Sequence, residues 1–536
     1  MATEEHAELR IVRAERPVGI LNYRLFWLAV AVIVGMGGLV LAARGNSVPW
    51  GIGWLMIVSV AYVIVVLIPL GKKRTTLLAI YYRHLNHIFR NKTGRNLHMS
   101  RLAQEGEYFG VGEEGEVLAL SKVKRPIEPI KGLGKVEILN HPVSSKVNIG
   151  ITDDWKLNTR TGSLIVATSS QLGDDQPQKL ARMASWSQVL NRMALGGSSI
   201  YRFGWAVQTI IGEKVDPAKD VAFVQRRMGL TSDGPHLDSY LQLVKSEARE
   251  APTHITTMSI SVHPGDIDAQ ALKTAGSPEK VLQAELLDFK NHITGKWSGG
   301  ISPIGVQDAQ FLSYNHMVLL SRLRLDPEYA RYYWDNRGNL LGKLSKGGLL
   351  NPQIAVPPYA DFKSSPDWCR LGKTVHIGLV VHDFPRSGMT EDHLEAIINV
   401  PVAKTVTAVY QMIPKAVAQL RAEFSTGAVS TDIARRSRKG RRITEATKAA
   451  ADIELEHERE VARNVGQVAR MSLFIDVTGG ALELEKVIAN AEKVRFAAGD
   501  AGDFLEYLDG RQHLGVEAAM LTTRGLDAKS APRWLR

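Results

Sequence analysis

Two long uncharged stretches near the start of the chain constrain its fold more than any other feature. Residues 25–43 and 51–70 contain no charged side chain, and each has about the 20 residues that a helix needs to cross a bilayer. A cleaved signal peptide is the competing interpretation of the first stretch, but its apolar run is too long and a second run follows at once. The sequence therefore predicts a transmembrane hairpin over residues 25–70, with both of its ends on one side of the membrane.

The cations around this hairpin indicate which side that is. Arg44 is the only cation in the connecting turn, whereas cations are abundant before the first span and after the second. An excess of Lys and Arg marks the cytoplasmic side of a membrane protein. We therefore expect a multi-pass protein of the cell (plasma) membrane, with residues 1–24 as a cytoplasmic N-terminal tail and with the C-terminus also in the cytoplasm.

Residues that flank the spans are expected to contact the membrane surface. Residues 75–91 place their large apolar side chains on one helical stripe, which is typical of a helix lying on a bilayer. Residues 71–109 are therefore predicted to form an interfacial helix and a linker. Indole rings and cations favour the headgroup region, so the expected surface anchors are Trp27, Trp50, Trp54, Lys72, Lys73 and Arg74.

The rest of the chain has the composition of a folded protein. The whole chain has 536 residues, which is more than one hydrophobic core supports, so more than one domain is expected. The net charge of +11 suggests attraction to an anionic membrane surface, nucleic acid or acidic partners. Cys369 is the only cysteine, which excludes an internal disulfide and a multi-thiolate metal site and fits a reducing compartment.

Short apolar runs and amphipathic segments alternate beyond residue 110. A first α+β module is predicted over residues 110–337 and a second over residues 368–536. The proline- and glycine-rich residues 338–367 between them are predicted to be an exposed linker. Helices are expected over 176–195 and 238–250, and strands over 163–170, 199–211, 254–263, 373–384, 405–412 and 471–478.

The order of these elements is the same in both modules. It predicts a cytoplasmic α+β region of tandem ferredoxin-like modules, attached to the N-terminal two-helix transmembrane hairpin. The last predicted helix has one apolar face made of Leu484, Val487, Ile488, Ala491 and Val494.

The second module also carries a predicted helical hairpin over residues 414–466, with a narrow apolar stripe and charged outer faces. Six cations lie at the junction of its two helices, and we call them the basic tip: Arg435, Arg436, Arg438, Lys439, Arg441 and Arg442. Clustered cations favour contact with the phosphates of DNA, with anionic lipid or with an acidic partner. Solvated turn residues are the alternative interpretation. No aromatic residue interrupts the run, which argues against base stacking.

No catalytic motif keeps its required spacing. The triplet at residues 372–374 is Gly-Lys-Thr, but Asp367 stands where a phosphate-binding loop needs a glycine, and a strand is predicted to follow. His457 and Glu458 match the start of a zinc-protease motif, but Val461 stands where that motif needs its second histidine. The 15 histidines lack metal-ligand spacing, and no nucleophile elbow is present. We therefore expect no enzymatic activity, catalytic residue, nucleotide site, metal or cofactor.

The whole arrangement resembles membrane proteins of actinobacterial conjugative elements, in which a PrgI-like hairpin is fused to the N-terminal, non-ATPase part of the TraC/TrbE-class type IV secretion ATPase. The resemblance covers nearly the full chain, which ends at Arg536, about where the nucleotide-binding domain of that class begins. It is carried by the order of weak signals in residues 69–75, 162–165, 186–205, 312–330, 376–385 and 405–478.

This resemblance implies a non-catalytic inner-membrane scaffold of a type IV secretion or conjugative DNA-transfer apparatus. The implied partners are the membrane, a separate secretion ATPase and other transfer-channel subunits, with DNA or anionic lipid as further candidates and an oligomeric arrangement in the assembled complex. A type VII secretion membrane component is the alternative, because it also combines two N-terminal spans with a cytoplasmic α+β domain. An enzyme acting on membrane lipids is disfavoured, because no paired carboxylates or nucleophile can be placed.

Overall fold

The computed structural model describes about half of the predicted α+β region. The described residues are 133–143, 148–168, 198–211, 253–295, 306–327, 350, 352–357, 359–383, 394–413, 468–500 and 504–525, together with 69–70, 75–76, 88, 92, 97–99, 186, 189 and 193. Apart from residues 69–70, the predicted transmembrane hairpin lies outside these ranges, as does the predicted helical hairpin. Among the helices that are described, none combines the length and the apolarity needed to cross a bilayer.

The described strands form one large antiparallel sheet and one short ladder. The short ladder pairs β1 (Pro69–Leu70) with β2 (Thr75–Thr76), so the last two residues of the predicted hairpin are strand and not helix. Within the described residues, the large sheet has 13 strands. They are β3 (Leu97–Met99), β4 (Val136–Pro142), β5 (Asn148–Asp154), β6 (Thr159–Thr168), β7 (Ile200–Ile210), β8 (Thr253–Val262), β9 (Val306–Phe311), β10 (Tyr359–Asp361), β11 (Cys369–Leu371), β12 (Thr374–Asp383), β13 (Lys404–Ile413), β14 (Val468–Gly480) and β15 (Phe504–Tyr507).

The centre of the sheet contains two similar four-stranded units. The first has the order β9-β6-β8-β7 and the second has the order β15-β12-β14-β13. They meet where β7 pairs with β13 in antiparallel register, from Thr209 opposite Lys404 to Arg202 opposite Gln411. We call this ladder the seam. Strands β5 and β4 continue the sheet beyond β6, and strands β11, β10 and β3 continue it beyond β12.

Helices cover both faces of the sheet. The described helices are α1 (Ala269–Ala275), α2 (Pro278–Ile293), α3 (Tyr314–Leu325), α4 (Glu395–Ile398), α5 (Leu484–Asp500) and α6 (Gln512–Ala519). Helix α2 begins with the preferred N-terminal signals, since the Ser277 hydroxyl accepts from the Lys280 N–H and Pro278 occupies the first turn. Helices α2 and α5 bury equivalent stripes at helical spacing: Leu282, Leu286, Phe289 and Ile293, and Val487, Ala491, Val494 and Ala498.

These two stripes pack on what we call the apolar face of the sheet. Its centre is an aromatic cluster at the seam, where the rings of Phe203 in β7 and Tyr410 in β13 lie 5.6 Å apart. Trp186 contacts Phe203 edge to face at 5.6 Å, and Phe289 of α2 lies 5.5 Å from the same ring. Because such aromatic contacts bury large areas, this cluster joins the two units through a common core.

We call the opposite side of the sheet the polar face. Successive side chains along each strand point alternately to the apolar face and to the polar face. Helices α3 and α6 and residues 520–525 pack on it and bury it. Hydroxyl pairs cross from β6 to β8, with Thr161 2.8 Å from Ser261 and Ser163 2.7 Å from Ser259. Its other buried polar side chains include Arg202, Gln208, Thr257, His376, Thr405 and Asp476.

The antiparallel sheet and its helices agree with the predicted α+β region, and the predicted strands named above are confirmed to within a few residues. Strand β2 occupies Thr75–Thr76, where the predicted interfacial helix begins, so that helix is wrong at these two residues as the hairpin is at residues 69–70. Two further expectations are wrong. The described part of the predicted exposed linker 338–367 includes strand β10 and the buried Ala355 and Ala360, because β10 pairs on both sides and the segment before it packs against α3. Ile488 is 44 % exposed, because the buried stripe of α5 runs from Val487 to Ala498.

Candidate functional site

The polar face holds an unusual amount of buried charge. Arg202, Arg324 and Arg524 are each 2 % exposed or less. A charge removed from water is costly unless it is paired or hydrogen-bonded. The groups around these arginines therefore form the most constrained chemical arrangement in the described part of the chain, and we call them the polar junction: Asp154, Arg202, Arg322, Arg324, Asp326, His376, Asp476, Glu517 and Arg524.

One part of the polar junction ties the segment after α6 to strand β5. Arg524 donates from Nε to Oδ2 of Asp154 at 2.6 Å and from Nη2 to Oδ1 at 2.7 Å, a fork that matches the carboxylate. Its Nη1 lies 3.6 Å from Glu517 of α6, which also pairs with Lys156 at 2.7 Å. Burial disfavours the charged guanidinium, but hydrogen bonding to Asp154 and the nearby carboxylates outweigh this and raise the pKa of Arg524.

A second part joins the end of α3 to the start of β12. The carboxylate of Asp326, which follows α3, accepts from the Thr374 hydroxyl at 2.7 Å and from the Lys373 N–H at 3.2 Å. Arg322 donates to its other oxygen at 3.0 Å. Gly372 makes this approach feasible, because its φ is +58° and a Cβ there would overlap the Asp326 carboxylate. The Gly-Lys-Thr triplet therefore caps a strand, and the strand predicted to follow it is present as β12.

His376 and Asp476 form the third part. Nδ1 of His376 lies 2.8 Å from Oδ2 of Asp476, and Nε2 lies 3.0 Å from the carbonyl oxygen of Leu325. Burial alone would lower the pKa of His376, but the charge and hydrogen bond of Asp476, with a further contribution from Asp326, raise it. In the imidazolium form both ring N–H groups donate, one to Asp476 in β14 and one to the last residue of α3.

Arg202 and Arg324 are held by neutral oxygens. Arg202 donates to the carbonyl oxygen of Thr523 at 3.3 Å, and Arg324 donates to that of Ala519 at 3.2 Å and to the Thr257 hydroxyl. Burial without a compensating carboxylate lowers the pKa of Arg324 to about 9. These bonds fasten residues 519–523 to β7 through Arg202, and to α3 and β8 through Arg324.

One buried cation lies on the apolar face. Lys404, at the start of β13, donates from Nζ to the carbonyl oxygens of Ile398, at 2.9 Å, and Val400. Burial lowers its pKa to about 7. The ammonium group satisfies carbonyls at the C-terminal end of α4, where cations are favourable.

The contacts of the polar junction stabilise the fold. Its charged groups are nearly inaccessible to solvent and face partners from distant parts of the same chain. Removing one partner would leave another charge buried and unpaired, so the network resists separation of the two units. Within the described ranges, no group of three or more His, Cys, Asp or Glu side chains has an arrangement that could hold a metal ion.

The predicted site residues lie elsewhere. The basic tip (Arg435, Arg436, Arg438, Lys439, Arg441 and Arg442) and the surface anchors (Trp27, Trp50, Trp54, Lys72, Lys73 and Arg74) are all outside the described residues. The polar junction was not predicted. Its one sequence signal is a charged or ionisable residue inside an otherwise apolar strand, such as His376 in β12 and Asp476 in β14.

Comparisons with known proteins give no identification, since no protein-family model matches the chain and no curated protein matches it. The fold and the polar junction define the class: an α+β protein built on one antiparallel sheet, with a core that two similar four-stranded units share.

Proposed function

We propose that this chain is a non-catalytic inner-membrane scaffold of a type IV secretion or conjugative DNA-transfer apparatus. In this proposal the N-terminal two-helix hairpin anchors the chain, and a cytoplasmic region of tandem ferredoxin-like modules with a projecting helical hairpin docks a separate ATPase at the membrane. The first support is the order of sequence signals that resembles the non-ATPase part of the TraC/TrbE class.

The strand order supports the ferredoxin-like assignment. We number the four strands of each unit in chain order, from β6 to β9 and from β12 to β15. In each unit the fourth strand lies beside the first, and the third lies between the first and the second. Helix α2 joins the third and fourth strands of the first unit, and α5 does so in the second. This is the arrangement expected of a split β-α-β unit, and its occurrence twice favours a tandem origin.

Two features together carry the scaffold proposal. One is the seam, and the other is the long segment of residues 414–467, which we call the excursion and which begins at the end of β13. The seam, the aromatic cluster and the polar junction join both units into one body. Ile413 and Val468 are paired neighbours in β13 and β14, so residues 414–467 leave and re-enter the sheet at one place. The basic tip lies near the middle of this excursion in sequence. A firm platform joined to a charged segment, for which the sequence predicts a projecting helical hairpin, suits docking of a partner better than it suits catalysis.

The proposed role of the basic tip follows from its charge. Six cations close together attract acidic surfaces and set the orientation in which a partner approaches. An acidic face on the ATPase is therefore the proposed contact of the basic tip. DNA phosphates are the other ligand with the same chemistry, and their binding would be strongly salt-dependent.

The test is capture of partners by the full chain, tagged and solubilised from the cells that produce it. The wild type is compared with a variant that has Gln at all six basic-tip positions and with a control that has Lys at its five Arg positions. We expect an ATP-hydrolysing protein and coupled DNA-transfer proteins with the wild type and the Lys control, and loss of both with the Gln variant. Small paired helical substrates in place of DNA-transfer proteins would favour the type VII alternative, and capture of no ATPase by any variant would contradict the proposal.

A further inference from the structure

Two turns lie side by side at one end of the sheet. The turn at residues 372–373 joins β11 to β12, and the turn at residues 481–483 joins β14 to α5. The Ala481 N–H donates to the carbonyl oxygen of Lys373 at 3.0 Å, so the two turns are in direct contact. We call this region the Lys373 end of the sheet.

The side chains of the Lys373 end have the character of a membrane-surface contact. Leu482 is 102 % exposed, the highest value among the exposed large apolar side chains of the described residues. Lys373 and Arg370 are also exposed, and Arg370 donates from Nε to the carbonyl oxygen of Gly372 at 3.0 Å, which holds its guanidinium against the turn. The exposed acids nearest in sequence to these three residues are Asp367, Glu483 and Glu485, and Glu483 lies 3.6 Å from Lys486. An apolar tip beside cations suits the headgroup region of an anionic bilayer.

The chain approaches the membrane near this same end. The chain enters strand β3 at Leu97, which pairs with Asp361 of β10, and Asp361 pairs with Arg370 of β11. Leu97 therefore lies about two strand spacings, or about 10 Å, from Arg370. The predicted interfacial helix ends near residue 91, and the stretch from residue 92 to Leu97 spans at most about 18 Å. So short a connection holds the Lys373 end close to the bilayer.

We propose that the Lys373 end rests on the anionic surface of the bilayer, with Leu482 in the headgroup region and with Arg370 and Lys373 binding lipid phosphates. The inference rests on the membrane anchor of the proposed function and adds to it an orientation of the cytoplasmic body.

This orientation bears on the partner of the basic tip. Strand β14 runs from Val468 to Gly480, so the base of the excursion 414–467 lies about 40 Å from the Lys373 end along the strand. The excursion therefore starts on the side of the sheet away from the bilayer. A soluble partner or DNA is favoured over the same membrane as the ligand of the basic tip.

The test compares two labels in the full chain, reconstituted in nanodiscs. Leu482→Cys reports on the Lys373 end. Phe496→Cys is the matched control, because Phe496 is 67 % exposed and lies toward the far end of α5, about 20 Å from Leu482. The native Cys369 is fully buried and should stay unlabelled. Quenching by a lipid-borne quencher is measured in discs of phosphatidylglycerol with phosphatidylcholine and in discs of phosphatidylcholine alone.

We expect the label at residue 482 to be quenched several-fold more than the label at residue 496 in the anionic discs. The difference should shrink in neutral discs and in the double variant Arg370→Gln with Lys373→Gln. Equal quenching of both labels, or stronger quenching at residue 496, would overturn the inference. Capture of the ATPase is a separate readout, so its failure alone would count against the scaffold role and leave this orientation standing.

Discussion

Nε of Arg524 lies 2.6 Å from Oδ2 of Asp154, although the two residues are 370 positions apart in the chain. Asp154 ends β5 in the first half of the described region, and Arg524 follows α6 near its end. The bond therefore draws the last described segment across the polar face and ties it to the strands beyond the first unit. The rigidity attributed to the scaffold depends on such contacts.

Replacing Arg524 with Ala should destabilise the protein strongly. The change leaves Asp154 and Glu517 buried without their shared cation, and breaking a buried ion pair in this way costs about 3–5 kcal/mol of unfolding free energy. Denaturant unfolding of the full chain in detergent measures it. Lys486→Ala is the control, because its exposed pair with Glu483 is worth at most about 1 kcal/mol. Equal effects of the two substitutions would show that the buried pair does not hold the fold.

His376 should make stability depend on pH. Its pKa in the folded protein is raised above the ordinary value of about 6.5, so its stabilising contribution is fully present below that value. The contribution is lost as the pH rises through the folded-state pKa. The unfolding free energy of the wild type should therefore fall relative to that of His376→Gln as the pH rises from about 6.5 through the folded-state pKa. A difference between the two proteins that is independent of pH would contradict the imidazolium assignment.

Sequence patterns found the strands of the two units because those strands are rich in β-branched and aromatic residues, as in β13 and β14. The same patterns missed α3, whose buried Arg322 and Arg324 break any apolar stripe. They also missed the polar junction, because the contact of His376 with Asp476 depends on strand register and on α3 covering that face. Local composition specifies neither the strand register nor the position of α3. The sequence predicts a linker at the buried Ala360, because the prolines on both sides of it are typical of a loop. The pairing of β10 with its two neighbouring strands is not visible in local composition.

The aromatic cluster at the seam should contribute much of the stability of the shared core. Phe203 is fully buried between the two units, and Phe203→Ala should lower the unfolding free energy by about 3–5 kcal/mol. Phe496→Ala removes the same atoms from a side chain that is 67 % exposed, so its effect should stay within about 0.5 kcal/mol. Calorimetric or denaturant unfolding compares the two variants. Similar small effects would mean that the seam is not a packed core.

Gly372 should tolerate no side chain. Its φ is +58°, and a Cβ would overlap the carboxylate of Asp326. Gly276 supplies a matched control, because its φ is +84° and nothing lies within 4 Å of a Cβ built there. Gly276→Ala should cost about 1 kcal/mol from backbone strain alone. Gly372→Ala should cost clearly more in denaturant unfolding, and an equal cost for both would place Asp326 farther from the turn than the structure has it.

ATP hydrolysis, measured on two preparations of the full chain, tests the scaffold account most directly. The chain produced alone and purified in detergent should show no hydrolysis above background. The chain captured from its own membranes should carry ATPase activity, and that activity should fall when the basic tip is changed to Gln but not when its arginines are changed to Lys. Hydrolysis by the isolated chain that is lost in Lys373→Ala, or captured material without any ATPase activity, would contradict the account.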